Sequence, residues 1–313
     1  MLAEYLQRVR GAVVEPEDVT VTSGVTNGVM QVCRVLVAAG ASAIAVEDPG
    51  WHRLREVAMG AGLALAPVGV DELGMRVQEL PGAPGVTAAI VTPAHQFPTG
   101  SVLAPARRAA LLEWARQVDG LILEDDYDAE FRYDRRPVGT VQGMEPRRVA
   151  LFGSLSKTLA PALRLGWVVT PPRWTPAVGS EIRIPGPPVL DQLALARFIQ
   201  AGSYDRHLRS VRQRYRVRRD RLVQALGRQL PDCSISGIAA GLHLVVDLPP
   251  GADAAAVVAA AAQRGVRVIS LGTYRATAEG GQALVLGYGN LDDRAVEQAV
   301  LELAAAVRAA EAA

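Results

Sequence analysis

Short apolar runs recur along the first half of the chain, each bounded by polar or turn-forming residues. They cover residues 43–46, 63–68, 88–91, 121–123, 149–152 and 165–169. Runs of this length and kind read as buried strands. Between them, residues 25–39, 51–60 and 105–117 carry apolar side chains at helical spacing. Strand and helix in alternation predict an α/β fold with a mainly parallel sheet covered on both faces. The opening stretch, 1–11, reads as an amphipathic helix rather than a signal peptide.

The pattern changes near 185–188, where prolines cluster. One long helix is then expected from about 189 to 226, with a break near Gly202. After Pro231 come a strand at 241–247, a helix at 253–264, strands at 267–269 and 283–287, and a last helix at 292–312. Asp253 and Asp292 are the expected N-caps of the two helices they open. The chain thus divides into a large unit (1–185), an interdomain helix (186–230) and a small α+β unit (231–313). A cleft between two such units is a natural ligand site.

Composition narrows the function classes. A net charge of +1 gives no global electrostatic case for a nucleic-acid or acidic partner. Cys33 and Cys233 stand far apart, and His52, His95, His207 and His243 show no metal-ligand spacing, so no metal is assigned. No apolar run approaches the ~20 residues of a membrane span, and a cytoplasmic protein is expected. Eight arginines between Arg206 and Arg221 fall on the long helix. With little aromatic interleaving they read as a solvated or interface face rather than a nucleic-acid footprint. Of the 33 Lys plus Arg, only Lys157 is lysine. Arginine can replace lysine as a solvated charge but cannot serve as an amine nucleophile.

Open α/β sheets bind ligands at the carboxyl ends of their strands. Three of the runs end in polar, titratable segments: 92–100 with His95, 124–128 with Glu124, Asp125, Asp126, Tyr127 and Asp128, and 153–157 with Ser154, Ser156 and Lys157. These suit pyridoxal 5′-phosphate (PLP). Lys157 would form a Schiff base. Asp125 would face the pyridine nitrogen and keep it protonated. Tyr127, two residues on and on the same face of an extended chain, would donate to the ring phenolate. Gly24, Val25 and Thr26, opening a helix, would offer amides to the phosphate. Arg164, Ser154 and Ser156 would add a guanidinium and two hydroxyls. Trp51 would stack on the ring. Each has a plainer reading: the acid run as a solvated loop, Trp51 as core, Arg164 as a surface arginine.

The segments 47–51 (EDPGW), 95–100 (HQFPTG), 124–133 (EDDYDAEFRY) and 153–166 (GSLSKTLAPALRLG) resemble the aminotransferase-like domain of MocR-type regulators of the GntR superfamily. The resemblance spans essentially the whole chain. It implies the PLP-dependent aminotransferase fold and a homodimer, with Lys157 as Schiff-base lysine, Asp125 on the pyridine nitrogen and Tyr127 on the phenolate. It further implies Arg164 on phosphate, Trp51 in the stacking position and Arg53 facing a ligand carboxylate. Phe97 stands where class I enzymes carry an asparagine, and 283–289 lacks their carboxylate-binding arginine, for which Arg53 and Arg275 are substitutes. No winged helix-turn-helix accompanies the domain, so direct contact of this chain with nucleic acid is not expected. Two functions follow from the resemblance. One is transamination-type chemistry on amino-acid or amine ligands; the other is an effector-sensing domain that binds PLP without efficient turnover.

Overall fold

The apolar runs become strands, and the stretches of helical spacing become the layers that cover them. The protein is represented by a computed structural model that describes residues 1–82, 85–133, 138–181, 186–277 and 281–311. The first unit runs α1 (Leu2–Arg10), β1 (Val19–Thr22), α2 (Val25–Ala38), β2 (Ala43–Asp48), α3 (His52–Gly60), β3 (Ala64–Asp71), β4 (Gly74–Met75) and β5 (Val86–Val91). It continues with α4 (Pro105–Gln117), β6 (Leu121–Asp125), β7 (Val149–Ser154), β8 (Gly166–Val169) and α5 (Thr175–Glu181). Two helices follow, α6 (Val189–Gln200) and α7 (Ser203–Gln229). The remainder is β9 (Ser234–Ser236), β10 (His243–Asp247), α8 (Ala254–Gln263), β11 (Ile269–Ser270), β12 (Ala283–Gly287) and α9 (Val296–Glu311).

Among the described residues the large sheet has the order β1-β8-β7-β6-β5-β2-β3-β4. Strands β3, β2, β5, β6 and β7 pair in parallel, so their carboxyl ends share one edge. Strand β8 runs antiparallel to both β7 and β1. It therefore begins at the edge where β7 and β1 end, with Gly166 opposite both Ser154 and Thr22. Helix α2 packs a spine of Val25, Val29, Val32, Cys33 and Leu36 into the core with Ile44, Leu123 and Phe152. Gly28 permits this approach, since a Cβ there would lie 3.3 Å from the Phe152 ring.

The small sheet has the order β11-β12-β10-β9, and α8 and α9 cover it. Helix α7 contributes to the cores of both units and, through Val211, to a smaller cluster with Phe131 and Tyr133. Its first turns place Tyr204 and Leu208 beside Tyr5, Leu6, Leu151 and Trp167, and its later turns place Leu222, Ala225 and Leu226 beside Leu244, Val246 and Leu303. Apolar residues on one face of a long helix are what allow it to bridge two hydrophobic cores.

Several expectations change. The long helix breaks where expected, at Ala201 and Gly202, into α6 and α7, but α7 runs on past Leu226 to Gln229. Asp253 caps α8 by accepting from the Ala255 amide at 3.0 Å, but Asp292 does not cap α9. It accepts from the Arg294 amide at 2.9 Å within a turn, and the helix begins at Val296. Strand β11 is displaced to Ile269–Ser270, and Trp51 is the N-cap of α3 rather than its first residue. Strands β1, β4 and β9 and helix α5 were not expected; each is too short for periodicity to declare it. Pro185 and Ala312, in the proline cluster and the last helix, lie outside the described residues. The exposed α7 arginines Arg209 and Arg216 line, with Arg10, Arg132, Arg212 and Glu130, a cavity of about 420 Å³.

Candidate functional site

The carboxyl edge of the large sheet gathers the polar segments. Asp125 is the last residue of β6 and is 4% exposed. Its Oδ1 is buried and has no hydrogen-bond partner. Burial, and then the charges of Asp126, Asp128 and Glu47, push its carboxyl up to about 8, against a pull from Lys157. A buried carboxyl oxygen left without a donor is costly unless a group outside the chain satisfies it.

The rest of the acid run is buried too, so the solvated-loop reading does not hold. Glu124 accepts from the Val141 and Gln142 amides at 2.9 and 2.8 Å. Asp126 takes both arms of the buried Arg10 guanidinium, at 2.6 and 2.9 Å. Asp128 accepts from His95 Nδ1 at 2.8 Å. Tyr127 is not on an extended strand, because β6 ends at Asp125 and the chain bends. The two-residue spacing therefore does not set its direction. Its hydroxyl lies 3.0 Å from His95 Nδ1, and Phe97 meets its ring edge-on with centroids 6.0 Å apart. Burial and the Asp128 charge hold its phenol well above the ordinary range.

A second group of residues forms a cradle where β1, β7 and β8 meet. Gly24 follows β1 by two residues and opens α2 at φ 99°, with open space where a Cβ would be. No side chain caps this helix, which leaves its first amides available to an anion. Ser154 ends β7, and its Oγ lies 2.9 Å from Ser156 Oγ and accepts from the Ser156 amide at 3.0 Å. Gly166 sits between them: a Cβ there would come 2.9 Å from Gly24 Cα. Arg164, exposed and left-handed at φ 48°, leads into β8. The register of β8 thus brings Gly24, Val25 and Thr26 together with Ser154, Ser156 and Arg164. Lys157 stands exposed on the turn just after β7.

Trp51 is half-buried and packs against two cores, one containing Val25 and Phe152, the other Tyr274 and Phe97. Arg53 is not gathered into this edge by a polar contact. It is exposed in the first turn of α3, where its guanidinium donates to Glu56 at 2.8 Å. Two further groups escaped sequence reasoning. Glu47, the next-to-last residue of β2, accepts from Thr92 and Gln96 and is pushed up to about 7 by burial. His243 on β10 donates to the Pro98 carbonyl at 3.0 Å and is pushed down to about 4, first by burial and then by His95. The strand-end position of Glu47 was a visible signal. That of His243 was not, since only folding brings the small sheet to this edge. Among the described residues no cluster could hold a metal, and no helix is long and apolar enough to cross a membrane.

Comparison with known proteins identifies the family and the fold. The chain is 33% identical over 308 residues to an HTH-type pyridoxine biosynthesis transcriptional regulator, PdxR, of Corynebacterium glutamicum, covering 98% of this chain and 66% of that protein. It is 32% identical over 314 residues to the probable rhizopine catabolism regulatory protein MocR of Rhizobium meliloti, covering 99% and 63%. The chain thus spans a little under two thirds of the length of these relatives. Among solved structures, an archaeal alanine:glyoxylate aminotransferase superposes with a TM-score of 0.89 at 24% identity, covering 98% of this chain and 79% of that one. The α-aminoadipate aminotransferase LysN of Thermus thermophilus gives 0.86 at 22%, covering 99% and 82%. At these identities the likeness shows the fold. The pattern of the aminotransferase class I and II family matches residues 1–300, and the chain belongs to that family, with MocR-type regulators among its relatives.

Proposed function

We propose that this chain binds PLP at the carboxyl edge of the large sheet and uses it for transamination-type chemistry on an amino-acid or amine ligand. The observation that carries this reading is Asp125, a buried carboxyl with an orphaned oxygen, close enough to Lys157 to feel its charge. A protonated pyridine nitrogen is the partner such an oxygen lacks. When bound, PLP supplies an electron sink for negative charge at the ligand's α-carbon.

The chain's own residues supply the rest. Lys157, the one side-chain amine in the sequence, is the covalent attachment point and the group able to carry a proton to and from the α-carbon. Asp125 holds a proton at the pyridine nitrogen. Tyr127 donates to the phenolate oxygen. The first amides of α2, at Gly24, Val25 and Thr26, bind the phosphate with Ser154, Ser156 and Arg164. Trp51 covers the ring face, and Arg53 receives a ligand carboxylate once released from Glu56. A homodimer and a cytoplasmic location belong to the same reading. Exposed apolar residues on α6, Val189 at 68% and Leu190 at 79%, support a subunit contact.

A second reading is favoured by the relatives, one named as a transcriptional regulator and the other as a probable regulatory protein. In it the domain senses an amine through PLP and signals by changing shape, with little turnover. Two measurements test both readings. Borohydride reduction of the PLP-treated protein followed by peptide mapping should place the pyridoxyl group on Lys157; label at the N-terminal amine alone rejects the assignment. Stopped-flow spectra with α- and γ-amino acids, followed by a keto-acid chase, then separate the two. Turnover at ~1–10³ s⁻¹ selects the enzyme, and a single spectral change without turnover selects the sensor.

A further inference from the structure

His95 and Asp128 form a buried pair beside Tyr127 that the reading above does not use. His95 Nδ1 lies 2.8 Å from Asp128 Oδ2 and 3.0 Å from the Tyr127 hydroxyl. His95 is 3% exposed and Asp128 is 2% exposed. The His95 and Tyr127 rings stack at 6.1 Å with 25° between planes. A carboxylate is the stronger of the two acceptors, so the neutral imidazole keeps its proton on Nδ1. That N–H also faces the Tyr127 oxygen. Phe97 offers Tyr127 only a ring edge. Among the described residues, His95 and Asp128 are the side chains that make a polar contact with the Tyr127 hydroxyl.

The small sheet closes this arrangement from the other side. Gly241 lies against the pair, where a Cβ would run into His95 Cε1 and approach Asp128 Oδ2 to 2.7 Å. The His243 ring sits 5.3 Å from that of His95. Among the described residues, Asp125 and Glu47 face Tyr127, and His243, which also feels the charge of Lys157, faces the pair.

We propose that His95, held as the Nδ1–H tautomer by Asp128, is a positioning residue that keeps the Tyr127 hydroxyl in place as the donor to the phenolate oxygen of PLP. The pair does for Tyr127 what Phe97, lacking a polar atom, cannot do. This rests on the proposed PLP site, which supplies the acceptor.

The test is a double-mutant cycle read by the pH midpoint of the visible band of bound PLP. Tyr127→Phe should move that midpoint upward, because a donor to the phenolate is lost. His95→Phe should move it the same way by roughly half to one pH unit, the scale of one neutral hydrogen bond. In the Tyr127→Phe background the His95→Phe effect should vanish. A midpoint unmoved by His95→Phe, or a shift that persists without the Tyr127 hydroxyl, overturns the proposal while leaving PLP binding intact. If His95→Phe does not fold, the isosteric Asp128→Asn carries the same expectation and the same overturning result. Nitrogen-15 spectra of the four imidazoles in the PLP-free protein should show His95 protonated at Nδ1. An Nε2–H tautomer there overturns the proposal independently of the cofactor. Absence of any visible band in the unmutated protein rejects the PLP site itself, and the positioning role with it.

Discussion

Gly241, in the connection leading to β10, sits against His95 of the large unit so closely that no side chain fits between them. Its φ of +73° is also one that L side chains rarely adopt. The Tyr133 hydroxyl donates to its carbonyl at 2.7 Å, and the Tyr288 hydroxyl donates there as well. One glycine thus seats the small sheet on the His95–Asp128 pair. Gly241→Ala should cost roughly 1–3 kcal/mol from backbone strain alone, and more from the clash. Urea unfolding measures it; a loss below about 0.5 kcal/mol would show that the two units yield at this contact.

Arg10 and Asp126 make a buried pair that ties α1 to the acid run, at 2.6 and 2.9 Å. Removing one partner leaves a charge buried without compensation. Arg10→Ala should therefore destabilise the protein by about 3–5 kcal/mol. The pair of exposed Arg116 with half-buried Glu145 is the control: Arg116→Ala should cost far less than Arg10→Ala. Equal losses in the two variants would remove the case for burial.

Asp125 predicts a pH dependence of the PLP-free protein. Its folded pKa, about 8, lies above the ordinary 3.8. The folded state therefore holds the proton more tightly. The stability this contributes is complete below about pH 4 and is lost as pH rises through 8. Glu47, Glu124 and Glu130, each pushed up to about 7 mainly by burial, add to the same trend. Thermal unfolding without PLP should thus show a falling midpoint from about pH 5 to pH 8.5. Asp125→Asn should lessen that fall. A slope unchanged by the substitution would mean that Asp125 does not hold a buried proton.

Asp125 and Arg164 should fail differently. Asp125→Asn should retain PLP and lose most proton transfer at the ligand's α-carbon, since an amide holds the pyridine proton poorly. Arg164→Ala should weaken PLP binding by roughly 10-fold or more, the scale of a charge-assisted contact. Equilibrium dialysis against PLP and hydrogen–deuterium exchange at the α-carbon separate the two defects. The same defect in both variants would refute the division of roles.

Arg53 is exposed and held by Glu56, so Arg53→Ala should leave stability within about 1 kcal/mol of the parent. Binding of carboxylate-bearing amines should weaken relative to amines without a carboxylate, by roughly 10-fold. Spectral titration with paired ligands measures the difference. If both ligand types respond equally, the carboxylate is received elsewhere, with Arg275 the next residue to vary.

The core strands of the large sheet, the helices over them and the strand-end position of Asp125 and Lys157 were legible in the sequence. The reason is that burial on both faces requires continuous apolar runs, and the sheet edge is where those runs stop. The lone lysine was legible because a chain otherwise given to arginine keeps an amine at one place. Tertiary structure alone decided what each acid does. Glu124, Asp125, Asp126 and Asp128 are four carboxyl groups of one five-residue segment, yet Glu124 meets two backbone amides, Asp126 meets Arg10 and Asp128 meets His95, while Asp125 Oδ1 meets no donor among the described residues. Those partners lie up to 116 residues away in sequence. The meeting of Gly24 with Ser154 and Ser156 depends in the same way on the antiparallel register of β8, which sets Gly166 between Thr22 and Ser154. Spacing along a chain reports which face a residue occupies within its own element. Which distant group meets it there is settled only when the layers pack, because burial makes every polar atom either find a partner or remain, like Asp125 Oδ1, without one.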